Sequence, residues 1–527
     1  MLWVQSDSLV TFFLEIGVKK KRSDTRKDRW KLEIAGNPHL IMSDSIAQIQ
    51  TQLTALQDTM SALEVDFPLL LDRIHPQNRK SAINFLKYLI LRKKDIRSLQ
   101  DKLHANGLSS LASGESHIHR QIQVTLQHLG ARFDKLDSCT SEFGARKITK
   151  GSLSLFGALH AEWPSSVMVT FDTSFLEEKK LVSDLLRNGM GIARINCAHD
   201  DEVIWLKMIE KIQKASKETG IPCKIHLDLA GPKIRTVLLG KGKKKGKVKI
   251  ATDSLIWLCD SAKGFRDGDI VISPNEPGVI ASLKLGDRVF IDDGLIFGKV
   301  EKLDSGRALV KIERISSKKP VIKAEKGLNF PDSILEVPSL TDFDRSCLPF
   351  VCAYADTIGF SFVRKAQDII DLRAALRELK DEIPSLILKI ETHEAVVNFP
   401  ELVLEGMAEP VFGVMIARGD LAVEIGFERL VEIQEEISWL CEAAHVPVIW
   451  ATQVLENLHK SGLASRAEIT DAGRAAAAEC IMINKGPHTL ELLRTLQDIS
   501  KRIAGFRTKN RLSLRPLKIA ADFLEKR

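Results

Sequence analysis

The chain has 527 residues, 44% of them hydrophobic, and a formal net charge of +7. It is therefore a globular chain long enough for two or three domains. No run approaches the ~20 apolar residues of a membrane span, and the modest positive charge is not gathered into a nucleic-acid-binding face, so neither a membrane nor a nucleic acid is an expected partner.

Near the start, Leu9 to Val18 is apolar and is followed by Lys19 to Arg22. It is too short to span a bilayer, and its charge order is wrong for a secretory signal; Asp7 and Glu15 argue against a transit peptide. The expected compartment is the cytoplasm, with a plastid as the alternative. Residues 1–160 read as a helical N-terminal extension, because Ile83, Leu86, Leu89 and Ile90, and then Ile96, Leu99 and Leu103, recur at helical spacing. His117 and His119 have no carboxylate or cysteine partner at metal-ligand spacing and read as surface histidines. The eight cysteines form no CxxC pair, which suits reduced thiols of an intracellular protein, several of them in core strands.

From Ser165 the pattern changes to short apolar runs, most of them followed by an amphipathic stretch. The predicted strands are Val167–Thr170, Gly191–Asn196, Ile225–Asp228, Thr357–Phe362, Ile387–Ile390, Val411–Ala417, Val446–Ala451 and Cys480–Ile483. Eight alternating βα units specify an α/β fold, a closed (β/α)8 TIM barrel with its active face built by the loops after the strands. The division is 161–236 and 326–505 for the two parts of the barrel, and 506–527 for a C-terminal tail. Between the third and fourth strands, residues 237–325 carry turn signals at Asp267-Gly268-Asp269, Gly286-Asp287, Asp292-Asp293-Gly294 and Asp304-Ser305-Gly306. So long a connection must be an inserted small all-β domain, read as a β-barrel lid over the barrel mouth. The Gly/Lys run from Lys241 to Lys249 fails the phosphate-loop spacing and reads as a solvated hairpin tip.

Two stretches carry the chemistry: Leu386-Ile387-Leu388-Lys389-Ile390-Glu391 and Val414-Met415-Ile416-Ala417-Arg418-Gly419-Asp420. Each is an apolar run ending in charge, which places a lysine and two carboxylates at strand C-termini. Lys389 and Glu391 share a strand face, and a second strand can bring Asp420 beside Glu391. Two carboxylates with few other ligands suit Mg2+, which keeps waters and takes further oxygens from substrate.

Residues 165–495 resemble the pyruvate kinase family. The resemblance rests on Ala193-Arg194-Ile195-Asn196, Leu227-Asp228, Gly231-Pro232-Lys233-Ile234-Arg235-Thr236, Ile291-Asp292-Asp293-Gly294-Leu295-Ile296, Lys326-Gly327-Leu328-Asn329, Ser361-Phe362-Val363-Arg364-Lys365, Lys389-Ile390-Glu391, Ala417-Arg418-Gly419-Asp420-Leu421 and Ala451-Thr452-Gln453. It implies phosphoryl transfer between phosphoenolpyruvate and ADP, giving pyruvate and ATP, with Mg2+ on Glu391 and Asp420. Lys389 would stabilise the transferring phosphoryl group and the enolate. Arg194 and Arg235 would hold phosphates, Gly419 and Thr452 would cradle substrate, and His199 and Lys326 would contact nucleotide. The alternatives are a non-catalytic regulatory or scaffold homologue, or another barrel enzyme using phosphoenolpyruvate or pyruvate. A homodimer through the barrel is expected.

The departures from the family pattern matter as well. Thr170-Phe171-Asp172-Thr173 stands where the family has Thr-Ile-Gly-Pro. Asn484-Lys485-Gly486-Pro487 follows the eighth strand in place of Ser-Gly-Glu-Thr, and the usual C-terminal effector domain is not expected. The family's K+ site would leave Asn196, Asp228 and Leu229 here, with Ala198 in place of Ser and Lys233 in place of Glu. An ammonium at Lys233 would stand where K+ stands, so K+ is not an expected requirement.

Overall fold

Parallel strands buried on both faces come from continuous apolar runs rather than alternating ones. In the computed structural model, which describes residues 38–512 except 67, 161–162, 179, 242, 262, 267, 317–319, 485, 506 and 510, eight such strands form. They are β1 (Ser166–Thr170), β2 (Met190–Asn196), β3 (Lys224–Asp228), β4 (Thr357–Phe360), β5 (Ser385–Ile390), β6 (Phe412–Ala417), β7 (Val448–Ala451) and β8 (Cys480–Ile483). They pair in chain order, and β1 pairs with β8 to close the barrel. β4 ends two residues before its expected end, because Phe362 takes a left-handed backbone with φ 54°. β7 begins two residues late, because the Val446 amide donates to Cys441 O and finishes the preceding helix. The Leu9–Val18 stretch lies outside the described residues, and no described helix is long and apolar enough to cross a membrane.

Local signals place the outer helices. The Glu202–Thr219 helix starts at Asp201, whose carboxylate accepts from the Ile204 amide at 3.0 Å, and stops at Gly220, whose φ is 69°. An N-cap carboxylate and a left-handed glycine are the expected start and stop.

The helical N-terminal region is part of the barrel's core. Its Ser141–Phe156 helix ends in Leu155 and Phe156, which join Met168, Ile192, Ile387, Met415, Ile449 and Met482 in the barrel interior. They enter at the N-terminal ends of the strands, where a Cβ on Gly413 would meet Leu155 at 3.0 Å. The barrel floor is thus sealed by a segment outside the eight βα units.

Preceding helices pack on the outer helix Leu430–Ala444, which lies between β6 and β7. Asn84 Nδ2 donates to Glu115 O and Ala443 O, both at 2.8 Å. His445 caps that outer helix with φ 55°; its Nδ1 lies 2.9 Å from Ser81 Oγ and its Nε2 2.8 Å from Ser116 O. His119, expected at the surface, is instead buried: the Asp137 carboxylate lies 2.7 Å from both His119 Nδ1 and Lys87 Nζ. Its partners come from distant parts of the chain, beyond any local spacing rule. His117 is half-buried.

The insert forms a seven-stranded sheet in the order 328–329, 288–291, 296–304, 307–315, 255–259, 271–274 and 236–238. It has its own apolar core of residues such as Ile256, Val289 and Val310. Its two edges are joined by the Arg235–Gly327 bridge and by Thr236 N donating to Lys326 O at 2.8 Å. A separate antiparallel pair links 247–249 with 321–323, and Lys243–Lys245 form an exposed turn. All eight cysteines are free thiols, seven of them buried.

Burial pushes the His445 imidazole down to about 4 from an ordinary 6.5. Between those values the unfolded chain binds the extra proton, so this contribution is full above pH 6.5 and is lost as pH falls. The loss reaches ~3 kcal/mol by pH 4. Glu115, which burial pushes up to about 7, works in the opposite direction, so the readout is a comparison with a variant. Asparagine tolerates the left-handed backbone at this position. His445→Asn should weaken the fold at pH 7 but show a smaller drop in urea midpoint than the natural protein between pH 7 and pH 4.5.

Candidate active site

Every barrel strand delivers its last residues to the same rim, and β3 ends there in a carboxylate with no solvent exposure, Asp228. Burial alone would push that carboxyl up, but Arg194, Lys389 and His226 surround it and hold it well below the usual range. Arg194 Nε and Nη2 lie 2.7 and 2.6 Å from Asp228 Oδ2, and His226 Nε2 lies 2.8 Å from Oδ1. Arg194 also donates through Nη1 to Thr170 Oγ1 at 3.0 Å. The guanidinium is thereby fixed at the ends of β1 and β2, where Thr170 and Arg194 are paired in register.

Lys389 reaches into the same cluster from β5. Its Nζ is 2.7 Å from Ser361 Oγ, 3.1 Å from Glu391 Oε1 and 3.4 Å from Asp228 Oδ2. Burial disfavours the ammonium, but Asp228 and Glu391 outweigh it and hold Lys389 above its ordinary value. Glu391 Oε2 accepts from the Phe362 amide at 2.7 Å, which the left-handed backbone there presents to it. Burial pushes Glu391 up, with the Asp420 charge adding to it against the pull of Lys389.

Asp420 opens the Arg418–Ile425 helix after β6, and Glu424 sits one turn on. Asp420 Oδ1 accepts from Lys233 Nζ at 2.7 Å. Glu424 accepts from Asn329 Nδ2 at 2.8 Å, and burial pushes it up to about 7. Lys233 and Asn329 stand at the two chain crossings between barrel and insert, so the insert is tied to this helix through both.

Gly419 N donates to Thr452 Oγ1 at 2.9 Å. Thr452, Gln453 and Leu455 all have left-handed backbones, with φ 65°, 57° and 51°. Such strain in non-glycine residues collects at functional loops. Arg418 braces the loop by donating to Ala451 O and Thr452 O at 3.2 and 2.6 Å.

Two clefts open at the rim. One, of about 390 Å³, is lined by Thr170, Arg194, Asn196, His199, His459 and Lys460 among others. The second, of about 570 Å³, runs between insert and barrel and contains Lys233, Asn329, Arg364, Asp420 and Glu424. Arg235 and Lys326 stand on the joined edges of the insert: Arg235 Nη1 donates to Glu325 O at 3.2 Å, and Lys326 Nζ pairs with Asp292 at 2.8 Å. Among the described residues neither makes an ion pair with the barrel carboxylates.

Glu391 and Asp420 suit a divalent cation. Burial is the main cause of the upward push on Glu391 and the Asp420 charge adds to it, while no cluster of three or more His, Cys, Asp or Glu side chains suited to a metal occurs among the described residues. With two protein carboxylates, the remaining ligands would be waters and substrate oxygens. For K+ the donors are poorer. Asn196 and Asp228 are directly opposite in register, but Asn196 Oδ1 accepts from Ala198 N at 3.1 Å and Asp228 is taken up by Arg194, Lys389 and the His226 ring. Leu229 and Ala198 bring no side-chain oxygen. Lys233 makes no ion pair with Asp228 among the described residues; its ammonium is on Asp420.

Sequence reasoning did not single out Ser361, His226, Thr170 or Arg418, which hold the charged groups in place. Ser361, Thr170 and Arg418 lay in quoted motifs without a role, and His226 lies two residues before Asp228 on the same strand face, so each left a faint local signal.

A closed (β/α)8 barrel whose C-terminal rim gathers a buried lysine, a buried arginine and carboxylates is a TIM-barrel protein with its ionisable side chains collected at the face where such folds carry their sites. The family model described as the pyruvate kinase barrel domain matches residues 165–487, and the chain belongs to the pyruvate kinase family. It is 30% identical over 332 residues to a pyruvate kinase of Staphylococcus saprophyticus, covering 62% of this chain and 54% of that protein. It is 31% identical over 335 residues to one of Geobacillus stearothermophilus, covering 61% and 54%. Over 350 residues it is 30% identical to the Homo sapiens pyruvate kinase PKLR, covering 64% and 59%. The chain thus spans little more than half the length of these curated relatives.

Asp228→Asn leaves Arg194 and Lys389 facing a neutral amide. The substitution should cost about 3–5 kcal/mol of stability, as removing one partner of a buried ion cluster does. Urea unfolding at pH 7 measures it, and a loss under 1 kcal/mol would refute the role given to Asp228.

Proposed function

We propose that the protein is a phosphotransferase that moves the phosphoryl group of phosphoenolpyruvate to ADP, forming pyruvate and ATP. The observation that carries this reading is the Lys389 ammonium, buried 3.1 Å from Glu391 and 3.4 Å from Asp228 at the barrel rim. Phosphoryl transfer needs positioning and preorganised positive charge more than covalent chemistry. A divalent cation on Glu391 and Asp420 would supply further charge stabilisation to phosphoryl and enolate oxygens.

The chain's own groups divide the work. Arg194, fixed by Asp228 and Thr170, aims at a phosphate in the smaller cleft. Lys389 offsets charge on the transferring group as the bond from the enol oxygen to phosphorus breaks and the bond from the ADP terminal oxygen forms. The enolate left behind takes a proton at carbon. Thr452, whose oxygen accepts from Gly419 N, keeps its own proton available to the substrate. His199, Arg235 and Lys326 would meet the nucleotide from the flanks of the mouth.

Lys389→Met should lower pyruvate formation, read in a coupled assay with purified protein, by ~10²–10³ or more. Because Asp228 and Glu391 lose their shared cation, the melting temperature should fall with it. Turnover near that of the natural protein would overturn the assignment.

The weak donor set around Asn196, Asp228 and Leu229 supports activity without K+. Rates in tetramethylammonium buffer should be little raised by KCl. Strong activation by KCl would refute this.

A further inference from the structure

Among the described residues, Lys233 is the cation of the insert's entry that pairs with a barrel carboxylate. Its Nζ sits 2.7 Å from Asp420 Oδ1, with the two side chains 27% and 21% exposed, so the pair is open to ions in the larger cleft. Its stem is held by the insert. The Lys233 amide donates to Gly231 O at 2.9 Å, Asn275 Nδ2 donates to Lys233 O at 3.3 Å, and Gly327 packs beside its Cε. Gly231 has φ 66° and accepts no Cβ, since Phe362 and Ser361 would lie 2.9 Å away. The entry segment therefore holds the Lys233 backbone in place beside the Arg418–Ile425 helix.

Asp420 cannot give the same oxygen to an ammonium and to a divalent cation, whose like charges would also repel at that range. We infer that Lys233 is a resident counter-cation of the Asp420 carboxylate, with which a divalent ion must compete, so that Lys233 sets the threshold for metal binding and links it to the position of the insert. This rests on the reading that Glu391 and Asp420 hold the metal.

The test is Mn2+ binding to the purified full chain without substrate, followed by the electron paramagnetic resonance signal of free Mn2+. Lys233→Met, and likewise Lys233→Gln, should bind Mn2+ about tenfold more tightly than the natural protein, the scale of a partly exposed ion pair removed from a carboxylate. Lys233→Arg keeps a cation in place and should stay within about twofold of the natural protein. In an Asp420→Asn background, changing Lys233 to Met should no longer matter. Ordinary Mn2+ binding by the natural protein with equal or weaker binding by Lys233→Met would overturn the counter-cation role while leaving the metal site standing. Absence of Mn2+ binding in both would overturn the metal site and this inference together.

Discussion

The site depends on one buried carboxylate. Asp228 has no contact with water, and such a group stays charged only if cations approach closely enough to replace its hydration. Arg194 and Lys389 do so from neighbouring and more distant strands, and the His226 ring adds a hydrogen-bonding contact from Asp228's own strand. Each of these side chains is thereby held in place by the fold itself. In the phosphotransferase reading proposed above, preorganised charge of this kind would cost no rearrangement at the moment of reaction, unlike that of flexible surface lysines. The price is carried by the fold: an ion cluster of this depth adds orientation more than stability.

The same rim is tied to the insert by two side chains at the chain crossings. Lys233 on entry and Asn329 on return both bond the helix that opens with Asp420. Two polar contacts therefore join the insert's chain crossings to the carboxylates of this helix. The strained backbone at Phe362 and at Thr452, Gln453 and Leu455 lies on the barrel side of the rim, where the Phe362 amide donates to Glu391 and the Thr452 hydroxyl oxygen accepts from the Gly419 amide.

At the opposite end, Leu155 and Phe156 close the barrel floor, and helices before them pack on the outer helix 430–444. The N-terminal helical region is therefore part of the barrel's hydrophobic core. His445 and Asn84 convert that apolar contact into a specific one, since each must find its partners on the other side to be buried without cost.

How much was legible follows from the range of each interaction. The eight strands could be read because a strand buried on both faces must be apolar throughout, and that pattern is local. Lys389, Glu391 and Asp420 stood out because charge at the end of such a run is local too, and the turn signals of the insert were equally short-range. The surface reading of His119 failed because Lys87 and Asp137, its partners, come from remote segments and meet it only when the helices pack. The partner of Lys233 lies 187 residues away on another βα unit, so its place on Asp420 rather than beside Asn196 could come only from the closed barrel. Sequence by itself determined the elements, their order and which residues could bear the chemistry, because periodicity and turn propensity act over a few residues. The tertiary structure alone decided which charges face one another and which are buried, because Coulomb and desolvation energies depend on distances that the chain sets only when the barrel closes.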